Sequence, residues 1–399
     1  MNTSSPPSST TYFHPFQPLK QLPSIDLKVA VMSDDKTLPQ DILTDVLSRL
    51  PVKTLCRFKC VSSSWSSLIS DPNFAETHLN RSKTQSPKYF ESKAIIISSS
   101  QNLYSVDFSD INPTATKLDF PTMEQHAADK WVIPIRVWSS CNGLLLVSHQ
   151  VVNPNFFLLN PSTRECKKLP TPPPVLYPAG KFYVLYYGVG YDSSTDDYKV
   201  VMTSSYNTGG IEIMIVTVYS LKTNAWRRIQ DAHYLLVGSS RGVFFDGCLH
   251  CLCLRSGSIV IVAFNLSDEI FREVPLPASL EILNCHVGVV GGCLCLVDRR
   301  TCNQTEVWIM EEYGVGQSWT KFTIEYLTPS LRLLCKVAED KVLFSNNRGR
   351  HGQKLVVYDP IKETLRDMVV AGIPSEFTFG RTYVESLVSP ILGGGIRSQ

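Results

Sequence analysis

The chain has 399 residues, of which 43% are hydrophobic and 19% are charged, and its formal net charge is +2. This composition excludes a wholly disordered chain, and the small charge gives no electrostatic basis for binding nucleic acid or an anionic membrane surface. No apolar run reaches the roughly 18 residues of a membrane-spanning helix, so we expect a soluble protein. The length allows a small domain beside a large one, or one large repeat architecture.

The N-terminal stretch is rich in Ser, Thr and Pro and has no acidic residue before Asp26. Organelle transit peptides have a similar composition but are usually rich in arginine, and no arginine occurs here. We therefore predict a disordered extension over residues 1–33, with Met32 as an alternative start of translation.

The stretch "LPQDILTDVLSRLPVKTLCRFKCVSSSWSSLISDPNF", from Leu38 to Phe74, has the periodicity of short helices. In its first part, apolar side chains recur on one helix face before a proline, at Ile42, Val46, Leu47 and Leu50. In its second part they recur at intervals of three, at Leu55, Phe58 and Val61. Ser70 or Asp71, just before Pro72, predicts the cap of a further short helix. We predict about three short helices, a unit small enough to need outside support.

After residue 85 the sequence changes to short strands and turns, and one phrase recurs. Each copy has an apolar run, a small polar turn residue, then a Lys or Arg and a second apolar run. Four copies are clear and two are weaker, with turn positions at Asp107, Asn160, Ser220, Asn265, Glu311 and Asp359. A spacing of roughly fifty residues is typical of a β-propeller blade of the kelch kind.

Each of these copies is predicted to be the outer hairpin of a blade. The inner strands are predicted in apolar runs that contain glycine, such as "SCNGLLLV", "GVGYD" and "GVVGGCLCLV". Strands buried between blades contain few polar residues. A β-sandwich, a different blade count and an incomplete propeller are the alternatives.

Both parts of the chain resemble one family. The opening Leu-Pro, the Leu-Pro between helices, and a Val followed four residues later by Trp resemble an F-box. The phrases "CNGLLLV", "LLNPSTRECKKLP", "YGVGYDSSTDDYKVV" and "AFNLSDEIFREVPLP" resemble, in that order, the F-box-associated, kelch-like region of plant F-box proteins. The resemblance covers about residues 35–392, and Cys251 departs from it where the family commonly has Trp.

The resemblance implies a multidomain fold, α plus all-β, with a small N-terminal helical F-box followed by a kelch-like β-propeller of about six blades. The implied domains are the disordered extension at 1–33, the F-box at 34–80, the propeller at 85–392 and a flexible tail at 393–399. The F-box of this family binds a Skp-type adaptor, which joins it to cullin and RING subunits. The residues that match the adaptor-binding face are Leu38, Pro39, Ile42, Leu43, Leu47, Leu50, Pro51, Leu55, Val61, Trp65 and Leu68.

This resemblance implies the substrate-recognition subunit of an SCF-type E3 ubiquitin ligase, without a cofactor, in the cytoplasm or nucleus. Its propeller would bind an unidentified target protein for ubiquitination and degradation. Periodicity alone is equally compatible with another role for the apolar helical residues. They could form the core of a small helical cap that packs on the rest of the chain. The alternative function is a free-standing propeller that binds protein without a ligase role, and a propeller enzyme is a weaker third.

Catalytic motifs are missing from the sequence, which has no phosphate-binding Gly-rich loop, H-E-x-x-H or G-x-S-x-G. We predict His233 and His250 to be core or surface residues rather than bases. The loop at 346–352 and the aromatic segments at 129–140 and 176–188 are candidates for a binding face. For the loop, a plain solvated hairpin turn is the alternative.

The cysteines include two Cys-x-Cys pairs inside alternating apolar runs, Cys251 with Cys253 and Cys293 with Cys295. Each pair is predicted on one face of a strand, as buried thiols are in a reducing compartment. A metal site built from both pairs is the alternative. Zinc sites usually space paired cysteines two to four residues apart, and no histidine cluster completes this one.

Overall fold

The computed structural model describes residues 39–85, 94–99, 102–108, 112–120, 135–149, 155–174, 184–237, 242–278, 285–301, 304–325, 331–337, 341–347, 353–373 and 377–391. The chain divides into two units, residues 1–43 and 44–399, and the described part of the first is the start of a helix. Within the described residues, no helix has the length and apolarity needed to cross a membrane. The predicted extension at 1–33 and the predicted tail at 393–399 lie outside the described residues.

Four short helices open the described chain: α1 (Gln40–Leu47), α2 (Val52–Phe58), α3 (Ser63–Ile69) and α4 (Pro72–Gln85). The sequence predicted about three, and the additional helix begins at a cap. The Ser62 hydroxyl accepts a hydrogen bond from the Trp65 N–H at 3.1 Å, which starts α3 as a separate helix. Asp71 caps α4 as predicted, since its Oδ1 accepts from the Asn73 N–H at 2.8 Å.

The strands of the described residues form six antiparallel sheets. The first contains β1 (Ala94–Ser99), β2 (Asn102–Asp107), β3 (Ala115–Leu118) and the C-terminal β25 (Thr378–Tyr383). The second contains β4 (Arg136–Cys141), β5 (Leu144–His149), β6 (Asn155–Asn160) and β7 (Glu165–Lys168). The third contains β8 (Val184–Asp192), β9 (Asp197–Thr208), β10 (Ile211–Ser220) and β11 (Ala225–Arg228).

The other three sheets repeat this pattern. The fourth contains β12 (Leu235–Leu236), β13 (Val243–Phe245), β14 (Cys248–Arg255), β15 (Ser258–Asn265) and β16 (Phe271–Val274). The fifth contains β17 (Cys285–Val290), β18 (Cys293–Thr301), β19 (Gln304–Met310) and β20 (Trp319–Glu325), with a short 3-10 helix, Gly316–Ser318, before β20. The sixth contains β21 (Leu331–Lys336), β22 (Val342–Asn347), β23 (Gln353–Asp359) and β24 (Thr364–Met368).

The inner strands close a ring. They contact one another in the order β25, β4, β8, β13, β17, β21, and β21 returns to contact β25. The ring closes because β25 pairs antiparallel with β1, so strands from the two ends of the propeller share one sheet. The described residues therefore form a β-propeller, which confirms the predicted fold class and its blade number of about six.

The recurrent polar turn residue ends the third strand of a blade, so the predicted outer hairpins are confirmed. Its side chain accepts a hydrogen bond from the backbone two residues on, as in Asn160 to Ser162 at 2.8 Å and Asp359 to Ile361 at 3.1 Å. Asn and Asp favour turns through this contact. Four residues after the turn residue, the backbone enters the left-handed region, with φ of 61° at Arg164.

The predicted glycine-marked inner strands are also confirmed, because the quoted runs form the β4–β5, β8 and β17–β18 segments. Buried side chains fill the space between neighbouring sheets. One such cluster joins the second and third sheets and includes Trp138, Leu146, Phe156, Tyr187 and Tyr219. Burial of this apolar surface between blades is the main stabilising term of the propeller.

Asn160 also binds the segment that follows the last strand. Its Nδ2 donates to the carbonyl oxygens of Ser386 at 3.0 Å and Val388 at 2.7 Å. We expect Asn160→Ala to lower the free energy of unfolding by about 1–3 kcal/mol more than Asn265→Ala, because buried carbonyls lose their donor. Asn265 is the control, since its Oδ1 accepts the same turn hydrogen bond. Urea unfolding measures both, and equal losses would contradict the expectation.

Candidate functional site

The residues predicted to bind an adaptor lie in different environments. Leu47 and Leu55 are buried in the interior, with 1% and 0% of their surface exposed. Partly buried positions are Leu43, Leu50, Trp65 and Leu68, and exposed positions are Pro39, Ile42, Pro51 and Val61. Leu38 lies outside the described residues. Only some of the predicted adaptor-binding residues therefore contribute to the apolar surface that is exposed to solvent.

Helix α1 separates buried from exposed apolar residues along its length. Leu47 is buried, whereas Ile42 is 47% exposed and Val46 is 51% exposed. Val46 is absent from the predicted adaptor face. Its spacing of four residues from Ile42 is the signal that could have identified it, since side chains at i and i+4 lie on the same side of a helix.

The segment between α2 and α3 presents Val61, which is 61% exposed. Val61 directly precedes Ser62, the residue that caps α3. On either side, Phe58 and Trp65 make an edge contact with ring centroids 5.4 Å apart. An aromatic pair of this kind stabilises a fold by about 0.5–1.5 kcal/mol beyond the burial of its surface. The contact therefore helps to fix the turn between α2 and α3 in which Val61 is exposed.

Charged side chains join the end of α1 to α4. The Asp45 carboxylate accepts from Arg81 Nη2 at 2.7 Å and from Arg49 Nη2 at 2.9 Å. These hydrogen bonds, with that from Arg81 the largest effect, lower the pKa of Asp45. Nearby, His78 Nε2 lies 2.9 Å from the carbonyl oxygen of Leu50. Polar contacts thus fix these helices to one another.

Helix α4 packs on the propeller. Leu79 is buried in a cluster with Leu144, Val384 and Val388 of the second blade and the C-terminal segment. On α2, Cys56 Sγ lies 3.8 Å from the carbonyl oxygen of Ser162 in a blade turn. These contacts use Leu79 and Cys56, and leave Val46 and Val61 exposed.

The segments predicted as a binding face of the propeller are only partly described. In the aromatic segments, the described rings of Trp138, Tyr186 and Tyr187 are buried, so they belong to the core and not to a surface. Most of the basic loop, residues 348–352, lies outside the described residues.

The two histidines singled out from the sequence have ordinary surroundings. His250 is buried, its Nε2 lies 2.7 Å from the Tyr313 hydroxyl, and burial lowers the pKa of His250 to about 4. It is neutral at physiological pH. His233 is exposed, with Nδ1 3.2 Å from the carbonyl oxygen of Glu212. Neither lies in a catalytic arrangement with a nucleophile among the described residues.

The cysteines of the described chain are free thiols. Cys251 and Cys253 lie on β14 with their sulfur atoms 3.6 Å apart, and burial raises the pKa of the Cys141 and Cys166 thiols. No group of three or more His, Cys, Asp or Glu side chains able to hold a metal ion occurs in the described part of the chain.

Comparison with family models matches residues 36–77 to the F-box domain and residues 93–389 to the F-box associated beta propeller domain. F-box protein CPR1 of Arabidopsis thaliana is 32% identical over 390 residues, which are 88% of this chain and 89% of that protein. From the same organism, F-box/kelch-repeat protein At3g23880 is 30% identical over 324 residues, 76% of this chain and 84% of that protein. The two matched regions coincide with the four helices and with the propeller.

Proposed function

Since the chain belongs to the F-box proteins that carry an F-box associated β-propeller, we propose that it is the substrate-recognition subunit of an SCF-type E3 ubiquitin ligase. In this proposal the helical unit binds a Skp-type adaptor, which joins it to cullin and RING subunits. The propeller binds the target protein.

The observation that carries the proposal is the exposure of apolar side chains in the helical unit. Ile42, Val46 and Val61 are 47%, 51% and 61% exposed, whereas Leu47, next to Val46, is buried. Exposed aliphatic side chains are what a partner interface needs at its centre. We propose these three residues, with Pro39 and Pro51, as the part of the adaptor face that makes direct contact.

The other residues of the predicted face support the helices or make only partial contact with the adaptor. Leu47 and Leu55 are buried, so in this proposal they hold α1 and α2 in place and do not touch the adaptor. Trp65 and Leu68 are partly buried and contribute their outer edges. Leu38 stays part of the proposed face through the family motif alone.

The chain's contribution to ubiquitination is proximity and not chemistry. A receptor that holds the target beside the ubiquitin-charged enzyme converts a bimolecular transfer into an effectively intramolecular one. We therefore propose a non-catalytic role, in the cytoplasm or nucleus, where a reducing environment keeps thiols free. Free thiols throughout the described residues are consistent with that compartment.

Co-purification tests this function directly. The full chain and a Skp-type plant adaptor are mixed, and their complex is measured by size-exclusion chromatography with light scattering. We expect one stable complex with one copy of each protein. If the folded chain elutes alone at adaptor concentrations well above those in cells, the alternative of a free-standing protein-binding propeller is favoured.

A further inference from the structure

A cavity at the centre of the ring of inner strands is lined by arginines from two different blades. Arg332 lies on β21 and Arg381 on β25, and these two strands are neighbours in the ring. The cavity has a volume of about 80 Å³. That is the space of about two to three water molecules, enough for the head of one small oxyanion.

The charges of this pair are uncompensated within the described residues. Arg381 Nε donates to the carbonyl oxygen of Trp138 at 3.1 Å, but neither guanidinium forms an ion pair with a described carboxylate. The cavity lining contains no Asp or Glu. His250, which also lines it, is neutral because burial lowers its pKa to about 4. The described wall is therefore positive, without an anion of its own.

Two neighbouring guanidinium groups without a paired anion destabilise this part of the fold. Burial lowers the pKa of both guanidinium groups, and repulsion from Arg332 lowers that of Arg381 further, to about 10. A guanidinium group keeps its proton at neutral pH, so both arginines carry a positive charge. Two like charges that are partly shielded from water cost free energy unless an opposite charge pairs with them. An anion that binds between the two arginines therefore lowers this free-energy cost.

The cavity continues into a larger one. A second cavity, of about 380 Å³, shares Arg381 and Leu333 with the first and is also lined by Lys83 of α4 and by Asp246. It is lined in part by glycines, Gly143, Gly242 and Gly288, so backbone approaches the space closely. A ligand with an anionic head at the arginine pair has room there for a larger body.

We propose that the central channel of the propeller binds an oxyanion, a phosphate or carboxylate group, between Arg332 and Arg381. The planar guanidinium fork matches two oxygens of either group, and such charge-assisted hydrogen bonds are the strong ones. A free small molecule and an acidic side chain of a bound protein present the same chemistry. This inference goes beyond the ligase role and does not depend on adaptor binding.

Calorimetric titration of the full chain tests the proposal with two probes at constant ionic strength: inorganic phosphate and a short polyglutamate peptide. We expect saturable binding of at least one probe, weakened at least about tenfold by Arg332→Gln and by Arg381→Gln. Arg366→Gln is the matched control, because Arg366 is an exposed arginine on β24 and the change removes the same charge. It should leave binding unchanged.

The two probes distinguish the sources of the group. Arginine-dependent binding of phosphate assigns the channel to a free anion, and arginine-dependent binding of the peptide alone assigns it to a protein side chain. Thermal unfolding without either probe shows that the variants fold, and Arg332→Gln should be no less stable than the parent because it removes a repulsion. Absence of binding for both probes, or equal binding by all three variants, overturns the proposal.

Discussion

Val46→Asp is expected to weaken binding of the Skp-type adaptor by at least about tenfold, and Ile42→Asp and Val61→Asp should do the same. Removing a hot-spot side chain near the centre of an interface costs about 2 kcal/mol or more, and each 1.4 kcal/mol is a factor of ten in affinity. The carboxylate adds the cost of burying an unpaired charge. The dissociation constant from biolayer interferometry measures the effect.

These substitutions are suited to the test because the side chains they replace are exposed. Ile361→Asp is the matched control, since Ile361 is 83% exposed in an outer turn of the sixth sheet. We expect it to leave adaptor affinity unchanged. All four variants should keep the circular dichroism spectrum of the parent. If Val46→Asp and Ile361→Asp bind the adaptor equally well, the helical surface is not the docking face.

A second large effect is expected in the propeller, where Lys199 joins the third blade to the fourth. Its ammonium lies 2.8 Å from Asp192 Oδ2, 3.1 Å from Glu269 Oε1 and 2.6 Å from the carbonyl oxygen of Leu266. The Asp192 side chain is 0% exposed and that of Lys199 is 9% exposed. We expect Lys199→Met to lower the free energy of unfolding by about 3–5 kcal/mol, because Asp192 is left buried and unpaired.

Two controls define that result, both measured by urea unfolding. Adding Asp192→Asn to Lys199→Met should restore much of the loss, since no uncompensated charge then remains. Lys222→Met removes an exposed ion pair to Asp196, at 3.4 Å, and should cost less than about 1 kcal/mol. If Lys199→Met loses no more stability than Lys222→Met, the buried ion pair is not a major stabilising contact.

Because of the same ion pair, we expect the free energy of unfolding to fall at acid pH. Burial alone would raise the pKa of Asp192, but hydrogen bonds from Lys199, Ser194 and Thr195 outweigh it and hold the pKa well below its usual value of 3.8. Stability from a depressed carboxyl pKa is present above the unfolded-state pKa and is lost as pH falls below it. The loss should therefore begin below about pH 4 and be smaller in Asp192→Asn. Unfolding free energies measured from pH 7 down to pH 2 test this slope.

Much of the propeller could be predicted because its turns are encoded locally. Asn160, Asn265 and Asp359 each make a hydrogen bond within their own turn, so the residue type needed there is visible in the sequence. The separate start of α3 was not predicted. The serine run offers several residues able to cap a helix, and only the structure shows that Ser62 does so.

The features that sequence reasoning missed depend on packing between distant segments. Helical periodicity places Leu47 on an apolar face, but whether that face meets the rest of the chain or a partner depends on where α4 packs. Arg332 and Arg381 are far apart in sequence and meet only because β21 and β25 are neighbours in the closed ring. Lys199 and Glu269 are likewise joined by blade packing alone.

In the proposed function one chain joins a target to a ligase, and protein half-lives in plant cells are the test of that role. Cells express either the parent chain or the variant carrying Ile42→Asp, Val46→Asp and Val61→Asp, and proteins bound to each are identified and followed after translation is blocked. We expect to find proteins that bind both chains but are degraded faster only in cells with the parent chain. If every bound protein has the same half-life in both kinds of cell, the chain does not deliver targets to a ligase.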